Sequence, residues 1–319
     1  MSLQTDWGYV ETHYAQQGVK PGPVDRMVAP IVCSMAISGD ILLTNSSLGM
    51  VQSGSPLSYQ QPSTACSFVT TEREQRHLQG LQVSWDMAHK YESATREQSS
   101  CTEWHQLRRP RVTASHFREV CHVSEKSEDG LVHRILQGTR QTAAMRRGLE
   151  LEADAIWEYC QTKRVNHYPC GFVIHPDAPW LGASPDGLVF DPSESVQFGL
   201  IEMKCPNLKS YVDCTYLKMK SGNLELKKSH AYYWQVQGQV LITGLTWCDF
   251  VISAEDDLLI QRIYRDSDVC KVIREKIDRF YFYVYMAKCI TDVGRIETED
   301  GMGFHLTSPS ILNPVMFLY

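Results

Sequence analysis

A chain of 319 residues, 43% hydrophobic and 21% charged, has the composition of an ordinary soluble globular protein with room for one large core or two modest ones. Its formal net charge of -6 argues against a protein that coats nucleic acid indiscriminately. Its longest apolar run, Met27 to Ile37, falls short of the roughly 18 residues a membrane-spanning helix needs and begins too far in for a secretory signal. The eleven cysteines show no C-x-x-C pair and no zinc-finger spacing, which fits reduced thiols in the cytosol or nucleus and no structural zinc.

Residues 1–69 lack sustained periodicity and are rich in Ser, Gln, Gly and Pro, so they read as an irregular or partly ordered amino-terminal extension. The main domain is expected over 70–290, followed by a carboxy-terminal tail, 291–319. From Thr70 to about Ser99 the chain is free of proline, with Leu81, Trp85, Met87 and Tyr91 spaced as in a leading helix. A longer helix fits Thr142 to Lys163. Strands come next at Gly171 to His175, Leu181 to Phe190 and Phe198 to Cys205, the last two joined by a turn at Pro192 to Ser195. A helix at His230 to Thr243, strands at Trp247 to Ser253 and Leu258 to Tyr264, and a helix from Asp268 to Lys288 complete an α/β sheet with helices on its faces.

Within the Thr142 helix, Leu149, Glu152, Ile156 and Tyr159 fall on one face, so Glu152 shares the apolar side and needs a partner or a cation. Alone it would read as a rim or salt-bridged glutamate. The strand period puts Glu202 and Lys204 on one face, with Met203 and Cys205 on the other. Asp186, in Ser184-Pro185-Asp186-Gly187, sits where a chain can bend and offer a carboxylate, although Pro-Asp-Gly by itself is a common turn. Asp followed by Glu-x-Lys on the next strand of a hairpin is rarer. Two such carboxylates and a backbone carbonyl suit magnesium, and a lysine two residues away can orient a water, accept its proton or stabilise developing charge.

Charge is unevenly spread. From Arg108 to Arg147 nine basic residues face four acids, and from Lys204 to Lys228 six face two. Such runs are usually solvated faces; beside an active centre they become a track for phosphates.

Gly182-Ala183-Ser184-Pro185-Asp186-Gly187-Leu188 followed by Glu202-Met203-Lys204-Cys205-Pro206 resembles the YqaJ viral-recombinase family, which includes phage lambda exonuclease and lies within the PD-(D/E)XK nucleases. Trp104-His105-x-Leu107-Arg108 with Val112-Thr113-Ala114-Ser115, Gly148-x-x-x-Glu152, and Tyr233-Trp234-Gln235-Val236-Gln237 extend the resemblance in the same order, from about Tyr91 to Met286. The resemblance implies a restriction-endonuclease-like α/β core, a central mixed sheet flanked by helices, and a Mg²⁺- or Mn²⁺-dependent exodeoxyribonuclease acting on duplex DNA from a 5′ end. It implies that Asp186, Glu202 and the Met203 carbonyl ligate the metal, with Glu152 completing a second metal or water site. Lys204 would be the catalytic lysine, and Gln235 would orient substrate or nucleophile. Arg108 and Ser115 match residues that contact a phosphate, with Arg111 a nearby alternative. The basic runs then read as a DNA track, with Lys218, Lys220, Lys227 and Lys228 its candidates. A homo-oligomer or a single-strand annealing protein would be its protein partner. His133, His167 and His175 have no ligand spacing and read as structural or exposed. Two rivals stay open: a structure-specific endonuclease with the same centre, and a silent DNA-binding or recombination module, against which the intact acidic set speaks.

Overall fold

The computed structural model describes residues 71–138 and 141–291. The expected extension, 1–69, and all but the first residue of the expected tail lie outside the described residues.

The leading segment is two helices, α1 (Glu72–Leu81) and α2 (Trp85–Ala94), where the sequence reads as one. Each has its own cap. Thr71 and Glu74 form a reciprocal capping box on α1, and the Ser84 hydroxyl accepts the Met87 amide at 3.2 Å to start α2, so the chain turns at Gln82. Short helices α3 (Thr102–Arg108), α4 (Phe117–His122) and α5 (Glu128–Gln137) come next, then α6 (Ala143–Lys163), capped by Thr142.

The strands form two main sheets. A three-stranded sheet has the order β1 (Val112–Thr113), β4 (Leu181–Ala183), β3 (Val173–Ile174). The larger sheet runs β10 (Leu258–Tyr264), β9 (Trp247–Ser253), β6 (Phe198–Lys204), β5 (Gly187–Phe190), β2 (Asn166–Tyr168). Strand β6 pairs antiparallel with β5 and parallel with β9, which makes the sheet mixed and β6 its centre. A separate ribbon, β7 (Leu217–Lys220) and β8 (Asn223–Leu226), pairs only with itself among the described residues.

Helix α7 (Ala231–Thr243) lays Val236 and Val240 on one face of the large sheet, against Leu200, Cys248 and Phe250. Helix α6 covers the other face, with Ala155 and Tyr159 against Ile201, Met203 and Val251. Helix α8 (Ser267–Phe280), continued to Thr291 through a π turn at Tyr281–Tyr285, closes a third cluster with Phe117, Val120 and Leu131. The fold is the expected α/β core with helices on both faces of a mixed sheet.

Two further expectations need correction. The strand read from Leu181 to Phe190 is two strands in two different sheets, because the chain crosses between them at Ser184-Pro185-Asp186, where proline has no amide to lend a ladder. Leu149, expected on the packed face of α6, is 48% exposed: the sheet supports that face from Glu152 onward, and the first turns of the helix overhang it.

Candidate active site

The crossing at Ser184–Asp186 is what builds the site. The Asp186 amide donates to the Ile201 carbonyl at 3.1 Å, the last backbone rung of the β5–β6 ladder. One rung further along β6, the Met203 amide donates to Asp186 Oδ2 at 2.7 Å, so a side chain takes the rung the backbone vacates. That fixes the Asp186 carboxyl beside β6 between Glu202 and Lys204. Gly187 is required here by close approach: a Cβ on it would lie 2.0 Å from His167 Nε2. His167 in turn donates from Nε2 to the Asp186 carbonyl at 3.2 Å. Burial pushes its imidazole below the ordinary range, which suits that neutral donor.

Glu202 is 1% exposed, on the central strand and facing α7. Both its oxygens are held. Lys204 Nζ and Gln235 Nε2 donate to Oε1, the latter at 2.6 Å, and Gln239 Nε2 donates to Oε2 at 2.6 Å. Gln235 and Gln239 are one helical turn apart on α7, so a single face of the helix positions both oxygens. Gln237 points elsewhere: its amide bonds the Tyr264 carbonyl and the Asp266 amide. Lys204 also lies 5.0 Å from the Tyr232 ring centroid.

The electrostatics are uneven. Burial first, and then the Glu202 charge, hold the Asp186 carboxyl well above the usual carboxylate range, with Lys204 opposing and Glu152 adding to the rise. Burial and the Glu202 charge likewise raise Glu152, against the pull of Lys204. Burial works to lower Lys204, but the Glu202 and Asp186 charges outweigh it and raise the ammonium further. Three carboxyl groups thus share one cation, and two of them bind protons more tightly than usual.

Among the described residues no three His, Cys, Asp or Glu side chains form a ready-made metal cage. Magnesium does not require one, since it is commonly held by one or two carboxylates, waters and substrate phosphates. The donor set fits a hard divalent cation: all-oxygen ligands and three carboxyl groups, two of them raised by burial and by one another's charge, beside one ammonium.

The expected phosphate residues divide. Arg108 Nη1 donates to Ser184 Oγ at 3.1 Å, and its guanidinium lies 4.0 Å from the Trp104 ring centroid; burial lowers its pKa to about 10. Trp104 Nε1 donates to the same hydroxyl at 2.9 Å. Ser115 is exposed just past β1, whose Thr113 is in register with Gly182, so it stands beside the Ser184 crossing. Arg111 does not join them. It is 4% exposed and donates to the carbonyls of Pro179, Leu107 and Leu81, a strut between α1 and α3 with no face for a phosphate. Of the lysines, Lys220 pairs with Glu225, Lys227 donates to the Thr215 carbonyl, and Lys228 pairs with Asp266 at 2.8 Å; Lys218 is exposed on the ribbon. Sequence reasoning missed Gln239 and gave no role to Ser184 of the quoted motif, whereas His167 takes the structural role expected of it. The signal for Gln239 was its four-residue spacing from Gln235.

A mixed sheet whose central strand carries Glu-x-Lys beside an aspartate at a strand crossing defines a nuclease of the PD-(D/E)XK class. The family described as "YqaJ-like viral recombinase domain" matches residues 103–246, and an alkaline exonuclease from Laribacter hongkongensis is 31% identical over 62% of this chain and 99% of its own, with a TM-score of 0.48. The chain belongs to the YqaJ-like viral recombinase family. It is also similar to a phage-related exonuclease from Haemophilus somnus 129PT (15% identity, 59% of this chain and 98% of that one, TM-score 0.42). A further similarity is to the shutoff and exonuclease protein of Kaposi's sarcoma-associated herpesvirus (13%, 70% and 75%, TM-score 0.43). No curated protein matches the chain. Among the described residues no helix is long and apolar enough to cross a membrane.

Proposed function

We propose that the chain is a magnesium- or manganese-dependent exodeoxyribonuclease that hydrolyses phosphodiester bonds of duplex DNA from a 5′ end. The observation that carries this reading is the convergence of Glu152, Asp186 and Glu202 on the single ammonium of Lys204, with two of the carboxyl groups raised. The Laribacter protein, 31% identical, is an alkaline exonuclease and has been solved with dAMP, which supports a nucleic-acid substrate for its relative.

In this reading Asp186, Glu202 and the Met203 carbonyl would hold the cation, and Glu152 a second metal or water site. When bound, the cation polarises a phosphoryl oxygen and lowers the pKa of the attacking water. Glu202 is kept in one orientation by Gln235 and Gln239, so its oxygens do not reorganise as charge develops. Lys204, its pKa raised, stays an ammonium. It orients the water and offsets negative charge on the phosphoryl oxygens, and leaves proton acceptance to a carboxylate, for which the raised Glu152 is suited. Arg108, aimed by Ser184 and Trp104, grips a terminal phosphate with Ser115 and sets the register of the scissile bond.

The test is purified full chain with end-labelled linear duplex and closed circular duplex, in magnesium or EDTA. Linear DNA should be degraded from its 5′ end only in magnesium, and circles should survive. Cut circles would move the reading to a structure-specific endonuclease. Binding without cleavage in magnesium would leave a silent DNA-binding module.

A further inference from the structure

We infer that Gln239 selects the cation that Glu202 accepts, by holding Oε2 so that the carboxylate meets a metal through one oxygen only. The inference rests on the metal-dependent reading and adds to it a positioning residue that sets ion preference.

Lone pairs set the limit. A carboxylate has about four acceptor positions, two on each oxygen. On Glu202, Oε1 takes two donors, Lys204 Nζ and Gln235 Nε2, and Oε2 takes one, Gln239 Nε2 at 2.6 Å. The position left is on Oε2, in the direction that the Gln239 amide fixes. Magnesium, small and octahedral, is served by a carboxylate that offers one oxygen. Calcium has a larger and looser shell and often takes both oxygens of one carboxylate. Loss of Gln235 would leave the Lys204 ammonium on Oε1, whereas among the described residues Oε2 has no donor besides Gln239.

The surroundings of Gln239 show what its amide is for. The side chain is 0% exposed, and its own Oε1 is buried without a partner among the described residues. An unpartnered interior carbonyl lowers stability, and a methionine of like size would not have one. Gln237, on the same helix and equally buried, gives the contrast. Its Nε2 donates to the Tyr264 carbonyl at 3.0 Å and its Oε1 accepts the Asp266 amide at 2.8 Å, so both ends of that amide tie α7 to the segment between β10 and α8. Gln239 uses one end, and that end is on Glu202. Its root is firm: Thr243 Oγ1 donates to the Gln239 main-chain carbonyl at 2.8 Å, and Val236 and Val240 beside it are packed against the sheet. A buried polar group kept half-satisfied beside a metal ligand is accounted for by the ligand it orients.

The experiment uses the full chain without DNA. Manganese is the probe, read by the paramagnetic resonance of the free ion, and magnesium or calcium is added to displace it. Gln239→Met, similar in volume and without a donor, should weaken magnesium's competition about ten-fold, the low end of what a lost outer partner of a ligand gives, and calcium's by no more than about two-fold. Gln239→Asn, its amide one methylene short of Oε2, should shift the ratio the same way. Gln237→Met should lower the melting temperature and leave the ratio unchanged. Magnesium and calcium weakened alike, or neither changed, in a folded Gln239 variant would overturn the inference and leave the nuclease reading standing. Failure of both Gln239 variants to fold would overturn it too, since the amide would then be structural. No manganese bound by the unmutated chain would overturn the inference and the metal-dependent reading together.

Discussion

Two acidic clusters sit on the same sheet one rung apart. Glu202 and Asp249 belong to neighbouring strands, with Ile201 opposite Asp249 and Glu202 opposite Phe250. They point to opposite faces: Glu202 toward α7, and Asp249 toward Tyr159 of α6, whose hydroxyl donates to it at 2.6 Å. Each cluster combines three carboxyl groups with one cation. Around Arg262 every acid is reached, with two bonds to Asp249 at 2.7 and 2.8 Å, one to Asp191 at 2.8 Å and one to Glu194 at 2.7 Å. For Asp191, burial is outweighed by Ser193 and Arg262 and the carboxyl falls below its ordinary range; for Glu194, Arg262 and Tyr264 lower it directly. Around Lys204 the ammonium is bonded, among the described residues, to Glu202 alone, and Asp186 and Glu152 are raised. Charge count is the same, and the difference is geometric: a guanidinium fork can serve three acids, an ammonium held by one leaves the rest wanting a cation. Buried acids therefore do not mark the site by themselves. Incomplete compensation does.

The comparison breaks most sharply under substitution. Asp186→Ala and Glu202→Gln should abolish cleavage while leaving DNA binding measurable, and Lys204→Ala should lose about 10²- to 10⁴-fold in rate with metal binding retained. Single-turnover rates and metal titration check both, and full turnover in either carboxylate variant at excess magnesium would refute the assignment. Arg262→Met should do the opposite: stability should drop by about 3–5 kcal/mol, the usual cost of stripping one partner from a buried ion pair, with an unchanged rate per folded molecule. Denaturant melts and active-fraction assays separate the two.

The clusters should also differ in sign with pH. Asp186 and Glu152 have folded pKa values above their unfolded ones, so they favour the metal-free fold at low pH and lose that contribution as pH rises through the raised values. Asp191, depressed, contributes above its unfolded pKa and loses its contribution as pH falls through the folded value. Glu152→Gln should flatten the first dependence and raise the metal-free melting temperature, and Asp191→Asn should flatten the second; melting curves across pH that respond alike would end the contrast. The smallest effect concerns Arg108. Duplexes with a 5′-phosphate should be degraded faster than those ending in hydroxyl, and Arg108→Ala should erase the difference by slowing the phosphorylated duplex, whereas neutralising Lys227 and Lys228 should weaken both alike. Side-by-side rates at one salt concentration decide it.

Much of this was legible in the chain itself. Helices α6 and α7 and strands β9 and β10 fall within a residue of their expected bounds, because each is long and ends at cap or turn residues that the sequence shows, Thr142 before α6, Gly244 after α7 and the acidic turn at 255–257 between the strands. The two-residue period likewise put Glu202 and Lys204 on one face, and the ordered motifs carried the family. What lay beyond the sequence was whatever depends on a neighbour distant in the chain. The split of Leu181–Phe190 comes from β4 pairing with β1 and β5 with β6, and short strands carry no period to reveal it. Arg111 and Arg108 are alike in sequence; only packing shows that one supports backbone carbonyls and the other faces Ser184. The ribbon reads as a run of lysines until its register shows an apolar face continuing outward to Met219. Side-chain type and spacing determined the kind of chemistry this chain can hold. Which acids stay uncompensated was decided by tertiary structure, because pKa and burial are set by groups brought together from four separate stretches: residue 152, residue 186, residues 202–204 and residues 235–239.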